Sequence, residues 1–388
     1  MNRGVETPPG LPQGPEASEQ FPPVTGGNAF CQIPHIIYAG MSSRQERPVI
    51  VKKYIAQRTI YIFFVFLAIS LLMYILYNQI PTDPARMELE GMKRDLKPDQ
   101  YQEMYLRLRD QLGLDDPLLV RYARWMGILP EKAGGFNGLF QGNFGFSNFY
   151  KKPVSEVIGG PMFNTVFINI FATILALGIT IPLGIRTAVK KNSRFDQSVQ
   201  VFSIVGYSIP IFIIALVFIY FFSVVFRIFP VMGMKTPGSN YTGLKFILDR
   251  LYYISLPLIV MTLASLGGMT RYVRAAMIDA LSMDYIRTAR AKGVREKVAI
   301  YSHAWRNALL PVITVVIGWF IGIFSGSVII ETTFSLNGMG KLYIDGLNNY
   351  DYELVLAMQM FYTVVSLVGI LVTDLSYGLV DPRVRVNK

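Results

Sequence analysis

The sequence predicts an all-α integral membrane protein with six transmembrane helices and a small external subdomain after the first helix. Apolar residues of the set AVILMFWYC make up 52% of the 388 residues, and charged residues make up only 16%. Soluble domains carry about 25% charged residues. The apolar residues are collected in runs long enough to cross about 30 Å of hydrocarbon. Basic residues cluster beside alternate runs, which is typical of membrane topology.

Each predicted span is a run of mostly apolar residues near the length that a membrane-crossing helix needs. The six runs cover residues 59–80, 162–185, 198–226, 254–269, 309–330 and 354–379. The fourth is the shortest, and the sixth contains Asp374. Because a charge inside a span is costly, we expect Asp374 to pair with an arginine such as Arg186 or Arg274.

The distribution of Lys and Arg predicts that both termini lie in the cytoplasm. The segment before the first span, the second and fourth connections and the C-terminal tail together contain 20 basic residues, whereas the two short opposite loops contain five. An even number of spans then returns the chain to the side where it began. The net charge of +11 is therefore first a topology signal, and we expect no nucleic-acid partner.

Two segments outside the spans have their own character. Residues 1–50 include PPGLPQGPE and PPVTGG and lack periodicity, which predicts a disordered cytoplasmic tail before a transmembrane domain at 51–388. The tail has no apolar core near Met1, and the 59–80 run is too long, so we expect no cleaved signal peptide.

The first connection, 81–161, is predicted to be an external subdomain that rests on the spans. Tyr101 and Tyr105 begin a helical spacing of apolar residues, and a second short helix is expected after Pro117. The segment 133–147, AGGFNGLFQGNFGFS, is rich in Gly and Phe and predicts an ordered loop.

Residue types that support catalysis or metal binding are scarce. The chain has one cysteine, Cys31, and two histidines, His35 and His303, which excludes an intramolecular disulfide and a Cys-based zinc site. The stretch GMGKL at 338–342 resembles a phosphate loop only superficially, because Ser335 and Leu342 replace the required Gly and Ser/Thr. We expect no catalytic residue, no bound cofactor and no metal on this chain.

The fourth connection, 271–307, is the most informative segment. It is charged, helix-prone and almost free of Gly and Pro, and it contains DYIRTARAKG at 284–293. The small residues in this stretch permit close approach by a partner, and Gly293 can end a helix in a left-handed conformation. A second helical stretch is expected at about 295–308. A solvated basic loop would have the same composition, so composition alone leaves both interpretations open.

A family resemblance favours a functional role for this loop. DYIRTARAKG, followed by HAWRNALLP at 303–311, resembles the cytoplasmic loop of bacterial ABC importer permeases of the oligopeptide/dipeptide/nickel class. Other matching pieces are PTDPAR at 81–86, LGLDDPLLVRYARWM at 112–126, GNFGFS at 142–147, IPLGI at 181–185, ETTFSLNGMGKL at 331–342 and VDPRVR at 380–385. The match spans about 52–386. It departs from the family in its long N-terminal tail and in Asn143, where Asp is expected.

The resemblance implies a permease subunit in a bacterial plasma membrane, with peptides as substrate and lipid around it. A second homologous permease, expected to be distinct, would complete the pathway, and an extracytoplasmic solute-binding protein would deliver the peptide. Two ABC ATPase subunits would bind ATP and Mg and dock on the loop at 271–307, here called the coupling loop. The implied coupling residues are Asp284, Arg287, Thr288, Ala289, Ala291, Gly293 and Arg295.

Alternatives and one bend complete the predictions. The motifs do not separate peptide import from import of nickel or another small solute, and a channel is a more distant alternative. Pro210 lies in the middle of the third span, so we expect a bend there that faces the pathway. Pro257 and Pro311 are placed near span starts, where proline is well tolerated.

Overall fold

A computed structural model describes residues 47–80, 83–93, 97–132 and 134–380. Nearly all of the tail predicted at 1–50 lies outside the described residues, so its disorder stays a prediction. Helices dominate the described chain. They are α1 (Arg47–Asn78), α2 (Pro84–Leu89), α3 (Pro98–Gln111), α4 (Leu118–Trp125), α5 (Val154–Val189), α6 (Arg194–Ser208), α7 (Ile211–Phe218), α8 (Gly243–Ser282), α9 (Asp284–Ala291), α10 (Glu296–Val298), α11 (Trp305–Gly322), α12 (Val328–Thr333), α13 (Met339–Asn348) and α14 (Tyr352–Val380).

The remaining regular structure is short. A π-helical segment, Ile219–Val225, continues α7, and a second one, Ala299–Ala304, joins α10 to α11. Two strands, β1 (Phe146–Ser147) and β2 (Lys152–Pro153), pair antiparallel.

The spans confirm the predicted all-α membrane fold. Five helices are long and apolar enough to cross a membrane: Ile55–Asn78, Val154–Val189, Gly243–Ser282, Glu296–Gly322 and Tyr352–Ser376. The pair α6 and α7 passes the same criteria as one unit but is bent by 97° at its break. The described residues therefore contain up to six spans, in the predicted order.

Two predicted spans have different bounds. The fourth, predicted as the shortest, is the 40-residue helix α8, because charged residues at both ends continue the helix beyond its apolar centre. The fifth was placed at 309–330, but its helix ends at Gly322, and residues 328–330 belong to α12. The sequence Ser325-Gly326-Ser327 separates the two helices.

Three of the predicted spans have a proline inside a helix. Pro182 lies within α5, Pro257 within α8 and Pro311 within α11. The placement of Pro257 and Pro311 near span starts was therefore wrong, because both helices begin earlier than the apolar runs do. The break in the third span occurs at Pro210 instead.

Two apolar clusters hold the spans together. One joins α5, α7, α8 and α12 around Ile254 and Phe334. The other joins α5, α8, α9 and α11 around Val273, Met277 and Ile286. Helices α5 and α8 contribute to both clusters, so they form the central pair of the fold, and α9 packs against one end of it.

Residues 83–153, here called the connecting subdomain, pack on α1 and α14. Helices α3 and α4 occupy the predicted positions, and Pro117 precedes α4. The Tyr122 hydroxyl lies 2.7 Å from Ser70 Oγ on α1. The backbone N–H of Phe146 donates to Glu353 on α14 over 2.7 Å. The described residues of this segment therefore pack against the spans, and their position outside the membrane stays a prediction.

The partner expected for Asp374 was wrong. Asp374 on α14 pairs with Arg58 on α1, with 2.5 Å between Oδ2 and the guanidinium. Arg274, one of the expected partners, pairs with Asp196. The pairing depends on which helices are neighbours in space, and the linear sequence does not show this.

Candidate functional site

The coupling loop is built around the short helix α9. Met283 has an extended backbone, with φ −71° and ψ 148°, and separates α8 from α9. One turn later, Ile286 is fully buried in the cluster formed by α5, α8 and α11. No other residue of α9 is fully buried, so a single side chain anchors this helix to the spans.

Gly293 ends this part of the loop as expected. Its φ is +76°, in the left-handed region. The N–H of Gly293 donates to the carbonyl of Arg290 (2.9 Å), and the N–H of Val294 donates to the carbonyl of Ala289 (3.1 Å). This pair of bonds is a Schellman motif, which satisfies the last carbonyls of a helix. A side chain at Gly293 would meet open space, so any strain in a substituted residue would come from its backbone.

A charged pair closes the turn after Gly293. The Arg290 guanidinium donates to both carboxylate oxygens of Glu296, over 2.6 and 3.1 Å. The hydrogen bonds from Arg290 to Glu296 raise the pKa of Arg290. Both side chains are about half exposed, so the pair fixes the direction of the turn more than it adds stability.

The predicted coupling residues lie together on this one segment, but they do not all face outward. Thr288 and Ala291 are exposed, whereas Ala289 is half-buried. Ala289 follows Ile286 by three residues and therefore lies on nearly the same face of the helix. The residues that are exposed to solvent are Asp284, Arg287, Thr288, Ala291, Gly293 and Arg295. A partner would meet these residues together with the exposed Tyr285.

The bend at Pro210 lies apart from the loop. Ile209 is extended because the residue before a proline avoids the helical region. Pro210 then precedes α7 without needing an N–H partner. The bend of 97° therefore follows from the sequence. Pro210 is exposed on the surface of this chain. Its orientation toward a pathway stays a prediction.

Helix α8 connects the loop to the bent pair. Arg274, two turns before the end of α8, donates through Nε and one terminal nitrogen to both oxygens of Asp196, each over 2.7 Å. Asp196 lies in the first turn of α6 and is fully buried. Further along, the Arg271 guanidinium lies over the ring of Tyr207, 5.7 Å from its centroid. The helix that carries the loop is therefore attached to α6 at two points.

Comparison with known families identifies the class of protein. The family model described as the binding-protein-dependent transport system inner membrane component matches residues 180–386. The model of the N-terminal part of such membrane components matches residues 51–168. The chain belongs to this family. Its members are permease components of transport systems, so the chain is a multi-pass membrane permease rather than a member of an enzyme family.

Individual relatives agree with the family. The oligopeptide transport system permease protein AppB of Bacillus subtilis (strain 168) is 37% identical over 86% of this chain and 99% of its own length. The dipeptide transport system permease protein DppB of Escherichia coli (strain K12) is 33% identical over 83% of this chain and 96% of its own length. A solved structure of the MetNI methionine ABC transporter covers 58% of this chain and 97% of its own, with 14% identity and a TM-score of 0.48; this likeness is too distant to bear on the fold.

This permease also contains a buried polar cluster that its sequence did not reveal. Glu331 on α12 is 4% exposed. It accepts hydrogen bonds from the Thr165 hydroxyl and the backbone N–H of Lys341, each over 2.9 Å, and from the N–H of Gly340. Burial raises the pKa of Glu331, and these hydrogen bonds oppose the shift. We call Glu331, Thr165 and residues 338–341 the Glu331 cluster.

The Glu331 cluster explains the glycines of GMGKL at 338–342, the segment that resembles a phosphate loop only superficially. Gly340 and Lys341 lie in the first turn of α13, where backbone N–H groups attract anions. The carboxylate of Glu331 occupies this position from within the permease. A Cβ at Gly338 would lie 2.5 Å from the Glu331 carboxyl carbon, so only glycine fits. The backbone of the sequence GMGKL therefore binds a carboxylate of the same chain.

Several important residues were missed by sequence analysis. Ile286 and Asp196 are both fully buried, yet Ile286 stands in a charged segment and Asp196 in a short polar connection. Arg274 was considered only as a topology signal and as a partner of Asp374. Among the described residues, no group of three or more His, Cys, Asp or Glu could hold a metal ion.

Proposed function

We propose that this permease is one of two pathway-forming subunits of an ATP-driven importer of oligopeptides or dipeptides. Family membership and the roles of AppB and DppB as oligopeptide and dipeptide permeases support this proposal. Both relatives are matched over nearly their whole length, and the coupling loop and the Glu331 cluster lie within the residues that the two family models match. The second subunit is a homologous, distinct permease, and an extracytoplasmic solute-binding protein supplies the peptide.

The proposed docking element for the ATPase subunits is α9. ATP and Mg bind on those separate subunits, and this chain contributes the surface that they move. Two features support this role. The outer face of α9 is exposed over Tyr285, Thr288 and Ala291. Its inner face is anchored through Ile286 to the span cluster, so a push on α9 reaches the spans directly.

The proposed transmission runs along α8. A helix of 40 residues is about 60 Å long at 1.5 Å per residue, which exceeds the thickness of the hydrocarbon core. Movement of α9 would reach α6 through the ion pair of Arg274 with Asp196. The bend at Pro210 would then change the position of α7, which lines the pathway with the second permease in this proposal. Switching between two packed arrangements is the general mode of such transitions.

The proposed location is the plasma membrane, with lipid around the spans. In the orientation proposed from the basic clusters, the coupling loop and both termini lie in the cytoplasm, and the connecting subdomain lies outside. Glu103 and Arg295 are both exposed and suit a test. With Cys31 replaced, single cysteines at these two positions should react with an impermeant thiol reagent from opposite faces of sealed vesicles. Labelling of both from the same face would overturn the topology.

A docking experiment tests the function itself. The variants Thr288→Trp and Ala291→Trp place a bulky ring on the exposed face of α9 and leave Ile286 untouched. We expect normal membrane insertion, loss of ATPase co-purification and loss of ATP-dependent peptide uptake. Lys191→Trp, at an exposed position in the connection between α5 and α6, is the matched control and should retain both. Wild-type assembly and uptake in both α9 variants would refute docking through this helix.

The substrate is tested with the same reconstituted complex. Uptake of labelled dipeptides and oligopeptides that requires ATP and the solute-binding protein supports the proposal. ATP-dependent uptake of nickel without peptide uptake would assign the permease to small solutes. Solute flux without ATP would assign it to a channel.

A further inference from the structure

A cavity lies between the connecting subdomain and the ends of α1 and α14. Its volume is about 760 Å³, which is within the usual range of small-ligand sites. Its walls include the rings of Tyr74, Tyr77 and Trp125. The coupling loop, the Pro210 bend and the Glu331 cluster contribute no residue to it, so no site described above explains this cavity.

Within the described residues, two charged side chains near Tyr74 in the cavity wall lack partners of opposite charge. Glu353, in the first turn of α14, accepts one hydrogen bond from the backbone N–H of Phe146 and is otherwise open to the cavity. The charged groups near it are Asp351 and Glu88, which are both acidic. Arg121 on α4 lies within electrostatic range of the Tyr74 hydroxyl. In the part of the chain that the structure describes, neither Glu353 nor Arg121 has an opposite charge within 4.0 Å.

Other cations of the same cavity are already neutralised. Arg109 pairs with Asp83 and Asp115, and Arg124 pairs with Asp116. Lys132 pairs with Asp110, with 2.7 Å between the charged atoms. Since these ion pairs hold the subdomain together, Arg121 and Glu353 are the two charged groups near Tyr74 that a ligand would satisfy. Glu131 also lines the cavity without an ion pair among the described residues, but it is not among the groups that act on Tyr74.

We propose that this cavity binds a short peptide with free ends, with its ammonium group at Glu353 and its carboxylate at Arg121. Tyr74 lies within electrostatic range of both charged groups, so the two ends would bind on either side of one aromatic ring. The rings of Tyr77 and Trp125 would cover an apolar side chain of the peptide. A charge-assisted hydrogen bond at each end would give the selectivity. The inference rests on the proposed peptide transport and names a receiving site for that substrate on this subunit.

Trp125 supplies the readout. The full-length permease, purified in a maltoside detergent, is titrated with the dipeptide Leu-Ala while its tryptophan fluorescence is followed. The sequence has three tryptophans, and the other two, Trp305 and Trp319, are replaced by Phe in a parallel sample to isolate the cavity signal. We expect saturable binding of Leu-Ala. We expect about hundred-fold weaker binding of N-acetyl-Leu-Ala-amide, because it loses both charge-assisted contacts at about a factor of ten each. We expect about ten-fold weaker binding of free leucine, because it keeps both charges but is too short to reach both groups at once.

Variants identify the two ends. Glu353→Gln keeps an oxygen that can accept from Phe146 N–H, so it should fold and bind Leu-Ala about ten-fold more weakly. Arg121→Gln should weaken binding similarly, and N-acetylation should no longer matter in Glu353→Gln. Glu131→Gln is the matched control, because Glu131 is another carboxylate of the cavity wall but is not among the groups that act on Tyr74. It should change binding by less than about two-fold. Equal weakening by all three variants would overturn the assignment.

The remaining outcomes separate this inference from the proposed function. Peptide uptake by the wild-type complex without any Leu-Ala response in the permease overturns the cavity site and leaves the proposed function standing. Saturable binding with the expected variant pattern supports the site even where no peptide uptake is found. A fluorescence response to the solute-binding protein, but not to free dipeptide, overturns the inference and assigns the cavity to protein docking.

Discussion

The coupling loop and the Glu331 cluster are two helix-terminus structures with opposite construction. Helix α9 is held by one buried side chain, Ile286, and ends in a turn whose polar groups are satisfied by backbone. Helix α13 begins on a buried carboxylate that accepts several hydrogen bonds from different elements. The first leaves its surface free for a partner, whereas the second uses its charge internally.

The difference shows how one chain can contain both a docking surface that moves and a buried polar cluster, the Glu331 cluster, that does not. A helix anchored at one point can transmit a push without resisting it strongly. A buried charge with several donors resists displacement, because each broken bond leaves an unsatisfied group. Variants in the two regions should therefore separate stability from assembly.

The largest effect on stability is expected in the Glu331 cluster. Glu331→Ala leaves the N–H groups of Gly340 and Lys341 without their acceptor in a buried site. We expect a loss of about 4 kcal/mol in the free energy of unfolding, from two or more buried donors at 1–3 kcal/mol each. Unfolding in detergent measures it, with Glu156→Ala, an exposed carboxylate in the first turn of α5, as control. A loss no larger than in the control would remove the contrast between the two regions.

A second variant tests the junction between loop and bend. Asp196→Asn leaves the Arg274 guanidinium without its anion at a buried position. We expect a loss of about 3 kcal/mol in the free energy of unfolding, because an uncompensated buried charge remains. Arg107→Gln, which breaks an exposed pair with Glu103, should change stability by less than about 0.5 kcal/mol. Full stability with reduced uptake in Asp196→Asn would instead make the pair a purely mechanical link.

Much of this fold could be predicted from the sequence, because apolar runs and charge clusters are local signals. The spans, the helices α3 and α4 and the stop at Gly293 all follow from residue types at short spacing. The pairs of Arg58 with Asp374 and of Arg274 with Asp196 could not be predicted, since they join helices that are distant in the chain. The sequence around Glu331 was interpreted as a family motif. The hydrogen bonding of its carboxylate could not be predicted, because it depends on the position of Thr165 on another helix.

A smaller effect is expected at the end of α9. Gly293→Ala forces a residue with a Cβ to adopt φ +76°, which costs about 1 kcal/mol. Gly318→Ala in α11 is the matched control, since a Cβ there also meets open space but the backbone is helical. We expect hydrogen exchange at the amide of Val294 to rise about five-fold in Gly293→Ala and to stay unchanged in Gly318→Ala. Equal exchange in both variants would show that the Schellman turn does not hold the loop.

The smallest effects are expected in the pH dependence of two carboxylates, and they have opposite signs. Burial raises the pKa of Glu331 in the fold, so the folded state binds a proton more readily than the unfolded state, whose value is about 4.3. Its contribution to stability therefore increases as the pH falls through the folded pKa, and the increase is complete below the unfolded value. The Arg124 guanidinium lowers the pKa of Asp116 in the connecting subdomain. The contribution of Asp116 is present above its unfolded value of about 3.9 and is lost as the pH falls through the folded pKa.

Unfolding of the wild type, Glu331→Gln and Asp116→Asn between pH 3 and pH 7 separates the two signs, over a range of about four units around these pKa values. The stability difference between wild type and Glu331→Gln should become more favourable to the wild type as the pH falls through the folded pKa of Glu331 toward the unfolded value of about 4.3. The difference between wild type and Asp116→Asn should shrink, and only below about pH 4. A decline of both differences with acid would mean that the hydrogen bonds from Thr165 and Lys341 outweigh burial at Glu331. The contributions of the Glu331 cluster and of the Asp116–Arg124 ion pair to stability would then depend on pH in the same way.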